Sequence, residues 1–145
     1  MRKFISERKY QLEFIPESNL RSELKTFDVL LPILGKRTWS LLVAPDNGPE
    51  LICSDHPVVL TWKNNSSNPV GFELHNTEVY FPLSPYQCFY GCYENFLPLR
   101  VNLTPTGIAK VNLRISLNAE KFVFSRQEKY IIYDKDQIRE VSFNK

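Results

Sequence analysis

The sequence has little glycine, little imbalance of charge and no long apolar run. Five glycines stand against ten prolines in 145 residues, and they are scattered, so there is neither a glycine-rich phosphate loop nor a low-complexity tract. Lys and Arg number 18 and Asp and Glu 16, a net charge of +2, so no global field draws the chain to nucleic acid or an anionic membrane. No stretch reaches the roughly 18 consecutive apolar residues that cross a bilayer. The opening MRKFISERKY has basic residues without the apolar segment of a secretory signal, and the expected location is cytoplasmic. Cysteine occurs three times, at Cys53, Cys88 and Cys92, and an odd count without an export signal reads as reduced thiols. Cys88 and Cys92 stand four apart, with His56 and His75 as further ligands, but QCFYGCY lacks the close pairing of zinc sites. No metal or cofactor is expected. The nucleophile elbow and the paired histidines of metallohydrolase helices are also missing.

What is present is a packable chain. The composition is 43% hydrophobic and 13% aromatic, enough for one domain over residues 1–145 to bury a core without disulfides or metal. Leu20, Leu24, Phe27 and Leu31 recur at four, three and four in PESNLRSELKTFDVLLPIL, which predicts an amphipathic helix that ends or kinks near Leu31, before Pro32, with Gly35 as the stop. TWSLLVA, LICS and VVLTW then read as strands of a β-meander, and Asn47-Gly48 is the strongest hairpin signal. KNNSSNPVG, residues 63–71, reads as a polar connecting loop. TEVYFPLS, QCFYGCY, KFVFS and YIIYD are further strands. Ile108, Val111, Ile115 and Ala119 predict a second helix over about 105–120, with Thr104 or Thr106 as cap and Pro105 at its start. The sum is an α+β fold: a mostly antiparallel sheet of five to seven strands with two main helices packed on it.

The candidate site lies in ELICSDHPVVL, where Ser54-Asp55-His56-Pro57 interrupts two apolar runs. Asn112 stands four after Ile108 on the stripe that faces the core, and a buried amide needs partners. Ser54 and Asp55 are the expected partners, in a turn whose side chains bond to backbone. The catalytic alternative makes Asp55 a general base or metal-binding carboxylate and His56 a proton carrier, as in a metal-assisted hydrolase acting on nucleic acid. Adjacent residues of an extended strand point to opposite faces, and no second carboxylate or histidine is spaced to join them, so a non-catalytic role leads. Arg2, Lys3, Arg8 and Lys9 around Phe4 and Tyr10 form a candidate nucleic-acid arm, set against the plainer reading of a solvated strand edge.

KRTWSLLVA, LICSDHPVVL, VYFPLSP and VNLRISLNAEKFVFS together resemble the motif series of a largely bacterial family catalogued as domain of unknown function 4238, over about residues 30–125. The resemblance singles out Arg37 and Trp39, then Ser54, Asp55, Pro57 and Val58, then Pro82, Leu83, Ser84 and Pro85, and finally Asn112 and Ala119. His56 stands where the family has Asn. It implies no activity, and a helical N-terminal half typical of the family is not recognised in this chain. The expected binding residues are therefore Arg37, Ser54, Asp55, Ser84 and Asn112, in a binding or interaction domain. Its partner is a protein met through exposed aromatics near SPYQCFYGCYENF, or a second copy.

Overall fold

Strand β1, Thr38–Val43, alternates in burial as its sequence predicts: Ser40 and Leu42 face the core while Trp39, Leu41 and Val43 face the other side. The computed structural model describes residues 16–143 apart from 65, 94 and 95. The chain divides into two compact units, Met1–Pro32 and Ile33–Lys145. The candidate basic arm over residues 2–10 lies outside the described residues.

In the first unit begins helix α1, Pro16–Gly35. It runs through Pro32 rather than ending near Leu31, and it stops at Gly35 as that glycine predicts. The ring removes one bond, to the carbonyl of Asp28, on an exposed helix surface where water can take its place. Bonds from the Lys36 and Arg37 amides to the Ile33 and Leu34 carbonyls, both 3.2 Å, close the last turn just past Gly35. The side chains of Leu20, Leu24, Phe27 and Leu31 are exposed.

The second unit is built on a five-stranded sheet of order β3-β4-β5-β1-β6. Here β3 is Val59–Trp62, β4 Thr77–Ser84, β5 Gln87–Cys92 and β6 Arg100–Asn102. Strand β1 runs antiparallel to β5 and parallel to β6, so the sheet is mixed, with its other pairings antiparallel. The expected meander through residues 38–62 does not form. Both edges of β1 are occupied, β2 (Cys53–Ser54) pairs with β7 (Val123–Phe124), and β3 pairs with β4. Asn47-Gly48 makes a turn closed from the Gly48 amide to the Pro45 carbonyl at 3.2 Å, but neither residue has the positive φ that a tight hairpin turn needs. The polypeptide therefore leaves the sheet, and Leu51 bonds instead to the Pro85 carbonyl at 2.8 Å.

Helix α2, Pro105–Leu117, starts as its sequence dictates. The Thr104 hydroxyl accepts from the Gly107 amide at 3.2 Å and Pro105 occupies the first turn. Ile108, Val111 and Ile115 pack with Leu42, Val59, Tyr80 and Tyr90 into one core. The helix stops at Leu117 rather than near 120, because the amides of residues 120–122 turn to Asp55 instead of to helical carbonyls. Ala119 thus falls outside it. Against α2 lies β8 (Lys129–Asp134), which pairs with β9 (Gln137–Ser142).

Strands β6 and β9 were not expected from sequence. The β8–β9 turn is a two-residue hairpin at Lys135 and Asp136, with φ 47° and 62°, a left-handed geometry usually taken by Asn-Gly. A side chain there costs about 1 kcal/mol per residue. Replacing Lys135-Asp136 by Asn-Gly is expected to raise unfolding stability by roughly 1 kcal/mol, measured as a higher urea midpoint with an unchanged m-value. An unchanged or lower midpoint would contradict this turn geometry.

Candidate functional site

Asn112 is completely buried on α2 and uses both ends of its amide. Its Oδ1 accepts from the Ile52 amide at 3.1 Å, and its Nδ2 donates to the carbonyls of Glu50 at 2.9 Å and Ile131 at 3.1 Å. The partner is therefore the backbone just before the Ser54-Asp55 turn, together with β8, and not the side chains of Ser54 or Asp55. A short edge segment and a late hairpin are both fastened to α2 by this one side chain.

The Ser54-Asp55-His56-Pro57 turn is held by its own chemistry. The Ser54 hydroxyl accepts from the His56 amide at 3.2 Å and donates to the His56 carbonyl at 2.9 Å. Asp55 accepts from three successive amides, Glu120 at 3.0 Å, Lys121 at 2.7 Å and Phe122 at 3.1 Å, and its own amide donates to the Phe122 carbonyl at 3.1 Å. Partial desolvation pushes the carboxyl pKa up, but the three N–H groups outweigh it and hold it below the usual carboxylate range. Both carboxylate oxygens are thus used by backbone, as in a turn and helix-end clamp. His56 is exposed, with Nε2 3.6 Å from Glu120 Oε2. Among the described residues no three His, Cys, Asp or Glu side chains come together to hold a metal ion.

The remaining expected positions are separate. Ser84 repeats the device of Ser54, accepting from the Tyr86 amide at 3.2 Å, and lines a cavity of about 260 Å³ with Leu51, Ile52, Pro85 and Phe124. Arg37, 4% exposed, sits at the other end of the sheet. It donates to the Thr77 carbonyl at 3.1 Å, the Thr77 hydroxyl at 2.8 Å and the Phe72 carbonyl at 2.7 Å, under the Tyr93 ring at 4.3 Å. Trp39 donates from Nε1 to the Leu34 carbonyl at 2.9 Å, and its ring lies on Gly91, where any Cβ would come within 2.8 Å. Cys88 and Cys92 are buried and in no disulfide, and burial pushes the Cys88 pKa up to about 12, so Cys88 is not a nucleophile near neutral pH. His75 is exposed and lies on the Tyr93 ring, centroids 4.7 Å apart. Of the aromatics in residues 84–96, Tyr90 is buried and Tyr86 bonds to Glu50, while Phe89 and Phe96 remain exposed.

A cleft of about 600 Å³ that the sequence did not reveal opens between α2, β3, β4 and β8. Its lining includes Lys63, Lys110 and Arg114 against a single carboxylate, Glu78. Glu78 is already engaged: Tyr80 donates to Oε2 at 3.0 Å and Tyr90 to Oε1 at 2.7 Å. Burial, reinforced by the Glu78 charge and hydrogen bonds, pushes both tyrosine pKa values far up, so the two hydroxyls stay protonated. Lys110 Nζ lies 4.9 Å over the Tyr133 ring and Arg114 donates to the Lys63 carbonyl at 3.1 Å. The available signal was Lys110 and Arg114 four apart on the helix face opposite Asn112; it was invisible without knowing that β3 and β4 lie beside that face.

Fold and cleft together define an α+β domain with a basic pocket and a structural polar frame. The model of a family described as a protein of unknown function, DUF4238, matches residues 1–129, and the chain belongs to that family. The match extends past both ends of the stretch, residues 30–125, that carries the motif resemblance. No curated protein and no solved structure matches the chain. No helix among the described residues is long and apolar enough to cross a membrane.

Two expectations test the frame. Asn112→Ala strands the Ile52 amide and the Glu50 and Ile131 carbonyls in the interior, at roughly 1 to 3 kcal/mol for each buried group left unpaired. The expected loss is about 3 to 5 kcal/mol by urea unfolding; a loss within the range of a surface substitution would contradict the fork. Asp55 has a folded pKa below its unfolded value, so its contribution is full above the unfolded pKa and disappears as pH falls through the folded one. Asp55→Asn should therefore lower stability at neutral pH. The gap from wild type should close only below the usual carboxylate range, read as melting temperature against pH.

Proposed function

We propose that this domain is a non-catalytic binding module that holds a small oxyanion, a phosphate or carboxylate group, in the cleft between α2 and strands β3, β4 and β8. The observation that carries the reading is the charge of the lining: three cations outnumber one carboxylate, and both oxygens of that carboxylate accept from tyrosine hydroxyls. Such a wall attracts an anion and offers it cationic donors, and the cleft has the volume of a small-ligand site. The non-catalytic part rests on Asp55, the carboxylate that the hydrolase alternative would use, whose oxygens accept from backbone amides. A bacterial, cytoplasmic setting agrees with three free cysteines and with the motif resemblance. As an interaction domain, the module would present the ligand's phosphate or carboxylate end to the protein and its other end to the surroundings.

Inorganic phosphate is the first probe, by calorimetry and by thermal unfolding at matched ionic strength. Saturating phosphate is expected to raise stability by about 2.7 kcal/mol at one hundred times its Kd. Lys110→Glu, which reverses one lining charge on an exposed helix position, should abolish that gain, whereas Asp55→Asn should keep it. Equal stabilisation by phosphate and chloride, or an unaffected Lys110→Glu variant, sinks the reading.

A further inference from the structure

Helix α1 carries an exposed apolar stripe: Leu20, Leu24, Phe27 and Leu31 are 58, 58, 60 and 56% exposed. Their spacing of four, three and four is the narrow seam of a helix packed on another helix, narrower than the stripe of a helix laid on a sheet. In a heptad with Leu24 and Leu31 at a, Leu20 and Phe27 fall at d, Arg21 and Asp28 at e, and Glu23 at g. The two orientations available to a pair of such helices differ in charge. A parallel pair sets Glu23 against the partner's Asp28, twice, and like charges at these positions oppose pairing. An antiparallel pair in which Leu20 meets the partner's Leu31 and Leu24 meets the partner's Phe27 forms four apolar layers. It also sets Arg21 beside the partner's Asp28, again twice by symmetry.

We infer that α1 is a homodimer seam, closed by α1 of a second copy of this chain running antiparallel. The interface is isologous and self-limiting, because each copy supplies the same layers and both charge pairs. It involves none of the cleft residues. Four layers make a small interface of the weak, concentration-dependent kind.

Sedimentation equilibrium of the full chain across micromolar concentrations reads the association, with melting temperature and far-ultraviolet circular dichroism as the check on folding. Arg21 and Asp28 are exposed, so reversing them leaves the fold intact. Arg21→Asp alone or Asp28→Arg alone should weaken the dimer by roughly tenfold, and the double variant should recover the wild-type dissociation constant. A wild-type chain that stays monomeric throughout overturns the seam. A double variant no tighter than the single ones overturns the antiparallel register.

Discussion

The amide of Asn112 is the constraint on which the second unit depends. Helix α2 would pack on the sheet through Ile108, Val111 and Ile115 alone, because burial of those side chains is favourable in any approximate alignment. Apolar packing of that kind does not choose where a two-residue strand and a peripheral hairpin must sit. A fork with one acceptor and two donors does choose, since each unmatched buried group opposes every other arrangement. Position 112 thus defines the location of residues 50–52 and of β8 relative to the helix.

Around that fork the polar motif residues divide the work of closing the chain. Ser54 and Ser84 each shape the two residues that follow them. Asp55 terminates the segment after α2 by collecting its amides. Arg37 gathers carbonyls from the far end of the sheet beneath Tyr93. Each of these groups bonds to backbone nearby or across the fold, and the basic cleft lies on the other flank of α2. The residues that make the motif series recognisable therefore help to build the frame, whereas the cleft is lined by side chains with no motif of their own.

Legibility in the sequence follows the range of the physics involved. The cap at Thr104, the stripe of α2 and the buried Asn112 rest on local periodicity and on one residue's own needs, and all could be read. The pairing of β1 with β5 and β6 could not, because strand composition says nothing of which edge meets which. Asn47-Gly48 misled for the same reason: its preference for a hairpin is overridden once both edges of β1 are filled. Strand β9 escaped because Lys135-Asp136 adopts a backbone that neither residue advertises. Lys63, Glu78 and Lys110 come from three distant elements, so their common cleft exists only after the fold does.

The bonds of Asn112 join residues 60 and 62 positions away, and those of Asp55 reach up to 67. During synthesis, the Ile52 amide lacks its Asn112 partner until α2 has left the ribosome, and β1 lacks its first neighbour until residue 92 is out and its second until residue 102. The early segments must wait, hydrated and unpaired, for the later ones. Such topology makes refolding slow and gives a nascent chain a long interval in which chaperones, or premature association through unpaired strand edges, compete with completion of the sheet.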